Sequence, residues 1–163
     1  MKIAVFPGSF DPITQGHVDL VHRAVPLFDK VIVAVGQNAQ KNYLFELEQR
    51  KSWIRAAFKG AENIEVSHFD TLTAHYCREV GARYLLRGLR NASDFDYEKT
   101  ISQINHIVGE GIETVFFISQ PAYSHISSTI VREIIKGGGD ATPFLPEALH
   151  IPVTTYFERS NIR

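Results

Sequence analysis

The run Val31-Ile32-Val33-Ala34-Val35 is apolar at every position and β-branched at four of them. A strand of that kind offers no side to water, so both of its faces must be covered, as in parallel sheets whose crossover helices lie above and below. Thr114-Val115-Phe116-Phe117-Ile118 has the same character. Ile3-Ala4-Val5-Phe6 and Arg83-Tyr84-Leu85-Leu86 are shorter strands, and Ile64-Glu65-Val66-Ser67-His68-Phe69 alternates like a strand nearer an edge. Helical patterns fill the intervals. Val18, Leu20, Val21, Ala24, Val25 and Phe28 mark a first helix, and Leu47, Trp53, Ile54, Ala57 and Phe58 a second. Thr73 to Val80 is a short third, closed by Gly81. Ser93 reads as the N-cap of a longer helix with Asp94, Asp96 and Glu98 near its start, Asp94 and Asp96 on a solvated face, and Ile101, Ile104, Ile107 and Val108 turned to the core. A last helix opens near Ser127 and stops at Gly137-Gly138-Gly139, and Pro143 to Leu149 reads as one more short helix.

Five strands alternating with helices predict an α/β chain. Its default form is a Rossmann-like doubly wound fold, a five-stranded parallel sheet with helices on both faces. The 163 residues match one domain, so residues 1–163 read as a single unit whose tail, from about residue 154, takes no assignment. Seventeen basic residues against 18 acidic ones give a net charge of −1, which predicts no general attraction to nucleic acid or to an anionic membrane. Any anion site must therefore be built locally. The single cysteine, Cys77, excludes an internal disulfide and, with no signal sequence in view, fits the cytoplasm. No apolar run approaches the roughly 20 residues that cross a bilayer. The histidines lack metal-ligand spacing, and neither a P-loop nor a Gly-x-Gly-x-x-Gly turn is present, which argues against a P-loop protein, a zinc site and an ordinary dinucleotide-binding domain.

In a doubly wound sheet, ligands sit beyond the carboxyl ends of the strands where strand order reverses. Four segments that follow strands carry groups suited to phosphate: Gly8 to His17, Gln40-Lys41, Arg87 to Arg90, and Tyr123 to Thr129. Gly8 and Gly16 let backbone approach a phosphate closely, since no Cβ intervenes. The helix start at His17 offers free N–H groups and the positive end of the helix dipole. Arg87 and Arg90 present planar forks to phosphate oxygens, whereas Lys41 is a mobile point charge. If the reversal lies between the first and fourth strands, the loop Pro7 to Gly16 faces Arg87 to Arg90 across one crevice.

The stretch Pro7-Gly8-Ser9-Phe10-Asp11-Pro12-Ile13-Thr14-Gln15-Gly16-His17 resembles the signature of the nucleotidyltransferase superfamily, whose Thr/His-x-Gly-His motif handles the α-phosphate of a nucleoside triphosphate. Together with Arg87-Gly88-Leu89-Arg90, Asp94-Phe95-Asp96-Tyr97-Glu98 and Ile126-Ser127-Ser128-Thr129-Ile130-Val131-Arg132, it is similar to the phosphopantetheine adenylyltransferase family from residue 1 to about residue 153. The resemblance implies adenylyl transfer from ATP to 4′-phosphopantetheine, giving dephospho-coenzyme A and pyrophosphate. It further implies Mg²⁺ held mainly through the ATP phosphates, a homohexamer, and a route for feedback by coenzyme A. By the same resemblance Ser9, Lys41, Thr73 and Arg87 hold phosphopantetheine. Ser9, Phe10, His17, Gly88, Leu89, Arg90, Glu98, Tyr123, Ser124, His125, Ile126, Ser127, Ser128 and Thr129 hold ATP. The chain departs from the family pattern in carrying Ser9 where many members have Thr, which keeps the hydroxyl, and Thr73 where members often have an apolar residue.

That reaction accounts for an inventory without a Ser-His-Asp or Cys-His pair. The attacking phosphate has a second pKa of about 6, so it is already an anion at neutral pH and needs no general base. What remains is positioning and charge stabilisation: His17, Lys41 and Arg90 for the reacting phosphates, Ser9 for the nucleophile. The residues by themselves reach only a nucleotide or phosphate transferase. A nicotinamide mononucleotide adenylyltransferase, a cytidylyltransferase and a non-catalytic nucleotide-binding module stay open at this level.

Overall fold

The computed structural model describes residues 1–150. Five strands, β1 (Ile3–Gly8), β2 (Lys30–Gly36), β3 (Ile64–Phe69), β4 (Tyr84–Leu89) and β5 (Glu113–Ile118), form one parallel sheet in the order β3-β2-β1-β4-β5. The helices between them are α1 (Gln15–Ala24), α2 (Leu47–Ala57), α3 (Thr73–Glu79), α4 (Ala92–Val108) and α5 (Ser128–Lys136). The expected doubly wound α/β architecture is therefore present, and β3 is an edge strand as its alternation implied. Order reverses between β1 and β4, at the place where the crevice was expected.

The two faces of the sheet bury separate apolar groups. On one, Ala4, Phe6, Val31, Val33, Val35 and Leu86 meet Leu20, Val21 and Ala24 of α1, Trp53 and Ile54 of α2, and Val131 and Ile135 of α5. On the other, Val5, Ile32, Ala34 and Leu85 meet Ala74, Tyr76 and Cys77 of α3, with Val108 of α4 packed against them. Residues Val31 to Val35 alternate between these two clusters, which is why every one of them had to be apolar. Cys77 is fully buried and burial pushes its thiol up to about 12, so it packs and does not react.

Several boundaries differ from the sequence reading for local reasons. β1 runs two residues further, because Pro7 and Gly8 keep the parallel register opposite Ala34 and Val35 of β2. The cap of α4 is Asn91, whose side chain accepts the Asp94 N–H, so Ser93 already lies inside the helix. Val25–Leu27 turns into a short 3₁₀ helix at Pro26, and the expected helix over Pro143 to Leu149 is two 3₁₀ turns, Thr142–Phe144 and Glu147–Leu149. Ile104 and Ile107 do not face the core: they are 51% and 78% exposed, and Glu98 is the buried residue of α4. Helical spacing reports that a side of a helix is apolar, not what covers it. The tail from about residue 154 lies outside the described residues.

Ile54 is fully buried between α2 and the sheet. Ile54→Ala should lower the unfolding free energy by about 2–5 kcal/mol. Urea denaturation would read this as a lower midpoint with an unchanged slope.

Candidate active site

The carboxyl ends of β1, β2 and β4 open on two adjoining cavities. The larger, about 1070 Å³, is bordered by Ser9 after β1, by Lys41 and Tyr43 after β2, by Thr73 at the start of α3, and by Arg87. The smaller, about 290 Å³, is bordered by Phe10, His17, Gly88, Arg90, Asp94, Glu98, Tyr123 and Ser127 among others. Pro7, Gly8, Ser9 and Arg87 belong to both, so the two spaces meet where the first loop leaves the sheet.

Each group is held by its own local geometry. Thr14 caps α1, and the capping is reciprocal: its hydroxyl accepts the His17 N–H at 3.4 Å, and His17 Nδ1 accepts the Thr14 N–H at 3.0 Å. A nitrogen that accepts a backbone N–H carries no proton, so in the neutral ring the proton sits on Nε2. His17 also packs edge-on against Phe10, with ring centroids 5.1 Å apart. Burial, reinforced by the positive charges of Arg90 and Arg87, lowers its pKa to about 4. At neutral pH the ring is therefore an uncharged N–H donor. Gly8 is required for packing as well as for access, because a Cβ there would lie 3.0 Å from the Phe10 ring. Gly88 serves likewise, since a Cβ would come within 2.9 Å of Leu20 on α1. A Cβ on Gly16 would meet nothing closer than 3.6 Å.

The arginines are oriented by carboxylates. Arg87 Nε donates to Glu98 Oε2 at 2.8 Å, Nη2 donates to Glu98 Oε1, and Nη1 donates to the Pro7 carbonyl at 3.2 Å. Arg90 Nε and its backbone N–H both donate to Asp94 Oδ2 at 3.0 Å. Burial pushes the Asp94 carboxyl up, but these bonds and the positive charge of Arg90 outweigh it and hold it below the usual carboxylate range. Asp94 is thus an arginine partner, where the sequence reading had a solvated face for it and for Asp96. Ser127 caps α5 through the Ile130 N–H, and Ser128 Oγ donates to the Pro12 carbonyl at 2.8 Å, tying that helix start to the first loop.

Of the residues expected at a site, Ser9, Lys41, Thr73 and Arg87 gather at the larger space. Ser9, Phe10, His17, Gly88, Arg90, Glu98, Tyr123, Ile126, Ser127 and Ser128 gather at the smaller. Phe10 is only 1% exposed, and its ring packs against Phe6 and His17. Leu89, Ser124, His125 and Thr129 stand outside both linings. Ser124 Oγ donates to the Pro121 carbonyl, His125 lies edge-on to Phe144, and Thr129 Oγ1 accepts from Arg132. Tyr43, which borders the larger space, was missed, as were Asp11 and Arg50 behind it. Arg50 had a signal: it lies three residues after Leu47 and four before Ile54, on the apolar stripe of α2.

Comparison with known proteins agrees with this geometry. The cytidylyltransferase-like family model matches residues 5–134. The phosphopantetheine adenylyltransferase of Cytophaga hutchinsonii is 52% identical over 145 residues, which are 89% of this chain and 97% of that one. That of Xylella fastidiosa is 50% identical over 149 residues, 91% of each chain. The chain belongs to the phosphopantetheine adenylyltransferase family. Among solved structures, a bifunctional NMN adenylyltransferase/ADP ribose pyrophosphatase from Francisella tularensis superposes with a TM-score of 0.76 at 15% identity, over 96% of this chain and 50% of that one. A second structure of that protein, complexed with AMP and a manganese ion, gives 0.72 at 15% identity, over 96% of this chain and 49% of that one. This chain therefore spans about half the length of that structural neighbour, and the likeness is one of fold.

The lowered pKa of His17 sets a test that needs no substrate. Nitrogen-detected NMR of the imidazole should find a neutral ring protonated at Nε2 throughout pH 5.5–8, with its midpoint near 4. A midpoint near the ordinary 6.5 would contradict the burial and charge argument. The sign for stability follows: the unfolded chain takes up this proton as pH falls through about 6.5 and the folded chain does not until about 4, so this group's contribution weakens across that window.

Proposed function

We propose that the chain, acting as one nucleotidyltransferase unit, transfers the adenylyl group of ATP to 4′-phosphopantetheine, releasing pyrophosphate and forming dephospho-coenzyme A. The observation that carries this reading is the meeting of two cavities at Gly8, Ser9 and Arg87, one bordered by Lys41 and the other by His17 and Arg90. A reaction between two phosphate-bearing substrates needs two adjoining spaces with cations and hydroxyls at their junction. High identity to phosphopantetheine adenylyltransferases across nearly the whole of both chains supplies the choice of acceptor.

ATP occupies the smaller space, with its phosphates toward Arg90, Ser127 and Ser128 and the start of α5, and with Gly88, Glu98, Tyr123 and Ile126 around it. Phosphopantetheine occupies the larger, its phosphate on Ser9, Lys41 and Arg87 and its arm toward Thr73. The acceptor phosphate attacks the α-phosphorus directly; the new P–O bond forms as the bond to the β-phosphate oxygen breaks, and no protein group is covalently modified. His17 contributes a neutral Nε2–H bond that strengthens as charge builds on the α-phosphate. A neutral donor suits this place, since a third cation beside Arg87 and Arg90 would be repelled in the free enzyme. Lys41 and Arg90 balance the remaining charge, and Ser9 orients the nucleophile.

Among the described residues no group of three or more His, Cys, Asp or Glu side chains is arranged to hold a metal ion. Asp94 and Glu98, the carboxylates bordering the nucleotide space, are each bonded to an arginine. Mg²⁺ would be held mainly through the ATP phosphates, where it would neutralise charge on the departing pyrophosphate. No helix among the described residues is long and apolar enough to cross a membrane, and a cytoplasmic location is part of the proposal. A homohexamer, and feedback by coenzyme A at the acceptor space, belong to the same reading. Tyr97, Ile104 and Ile107 form an exposed stripe along α4, 67%, 51% and 78% accessible, of the kind an oligomer covers.

The direct test is pyrophosphate release from MgATP with 4′-phosphopantetheine, run beside nicotinamide mononucleotide and, with CTP, a phosphorylated alcohol. Turnover confined to the first acceptor is expected, and turnover only with another would replace the reading. In the same assay His17→Ala should lower kcat by on the order of 10²–10³ with a smaller change in the KM for ATP, the sign of a contact made chiefly in the transition state. An unchanged kcat would remove His17 from the chemistry.

A further inference from the structure

Arg50 is the largest side chain among those less than 2% exposed, and it lies on α2, outside both cavity linings. Burying a guanidinium costs several kcal/mol unless its donors are satisfied and its charge is met. A Leu or Met at this helical position would fill the stripe between Leu47 and Ile54 without that cost. The partners of Arg50 indicate what the charge is used for. Nε donates to the Phe45 carbonyl at 3.0 Å and Nη1 to the Ser9 carbonyl at 2.7 Å. The guanidinium carbon lies over the Tyr43 ring, 4.1 Å from its centroid, and the Asp11 carboxylate is close enough to attract it.

Each partner leads to the acceptor space. Ser9 lies where the two cavities meet, and its carbonyl is the one Arg50 grips. Tyr43 Oη accepts the Asn38 N–H at 2.8 Å, and the Asn38 carbonyl accepts the Lys41 N–H at 3.0 Å, so the turn that carries Lys41 rests on the ring under the guanidinium. Asp11, 2% exposed, reaches across in the opposite sense, its two oxygens accepting the Leu44 and Phe45 N–H groups at 2.8 and 2.9 Å. One arginine and one aspartate thus join the loop after β1 to the loop after β2, and α2 fixes the distance between them.

We infer that Arg50 is a positioning residue for the acceptor: its fork sets the separation of Ser9 from the Lys41 turn and thereby the place of the attacking phosphate. The inference rests on the function proposed above. A lysine cannot replace it, because one ammonium on a flexible stem cannot reach two carbonyls in a fixed plane and stack on a ring at once. The groups placed at the nucleotide end, His17, Arg90 and Ser127, do not bond to Arg50, so nucleotide binding should be spared.

The experiment compares wild type with R50K, R50A and Y43L, the last changing a partly exposed ring and leaving the buried site filled. For R50K and Y43L the expected result is a rise in KM for 4′-phosphopantetheine and a kcat/KM for it lower by on the order of 10². Calorimetric Kd for a non-hydrolysable ATP analogue should stay within about threefold of wild type, below 1 kcal/mol. Guanidinium ion added to R50A should restore part of the lost rate. Kinetic constants that stay at wild-type values while the melting temperature falls would overturn the proposal in favour of a purely structural role, as would equal losses for nucleotide and acceptor. Should wild type itself release no pyrophosphate with this acceptor, the functional reading fails, and hydrogen exchange decides for Arg50. Faster exchange of residues 37–46 in R50K and Y43L with α5 unchanged supports the positioning role, and unchanged exchange overturns it.

Discussion

Parallel strands all point the same way, and that polarity is the constraint on which the arrangement of this molecule depends. Crossover helices return each strand to the same starting edge, so the loops after β1, β2, β4 and β5 emerge on one rim although the first and the last lie more than 100 residues apart in the chain. At the reversal between β1 and β4 the neighbouring crossovers go to opposite faces, and a crevice opens without any insertion to shape it. The apolar strand Val31–Val35, with one cluster on each side, makes the rim rigid enough for the loops to hold fixed separations.

Electrostatics at that rim follow one rule: each arginine is oriented before a ligand arrives, whereas Lys41 is exposed. Glu98 holds Arg87, Asp94 holds Arg90, and Asp11 faces Arg50. These pairs are unequal. Each carboxylate takes two bonds from its guanidinium, but Glu98 is 10% accessible and Asp94 22%, so the Arg90 pair is the more open to screening and to competition by a phosphate. His17 adds a donor without adding charge, held in one tautomer by the backbone of its own helix cap. The site can therefore receive two polyanions with little rearrangement of side chains, which is where a positioning enzyme obtains its rate.

Much of this was legible in the sequence, and the unread parts have physical causes. The strand count and the parallel sense follow from Val31–Val35, from Thr114 to Ile118 and from alternation in β3, because burial writes itself into residue polarity; the reversal between β1 and β4 entered only as a condition, since polarity does not order the strands. The gathering of Ser9, His17, Lys41, Arg87 and Arg90 was legible because each follows a strand or, as Arg87 does in β4, lies near its carboxyl end. Arg50 and Asp11 were not read, since their partners are main-chain carbonyl and amide groups, which leave no mark in the identity of the partner residue. Ile104 and Ile107 misled for the complementary reason: an apolar stripe looks the same whether a core or another surface covers it. Asp94 was read as solvated because its partner, Arg90, lies across the turn that starts α4 and not along the helix.

The central claim is that two substrates meet at Ser9 and Arg87 and react by one direct displacement, with no group of the protein entering the chain of bonds. The stereochemical course at phosphorus tests it most directly. ATP made chiral at the α-phosphorus with sulfur and oxygen isotopes would be turned over with 4′-phosphopantetheine and the configuration of the product read by phosphorus NMR. A single in-line displacement predicts inversion. Retention would mean two displacements through an adenylylated protein residue, and would contradict the account.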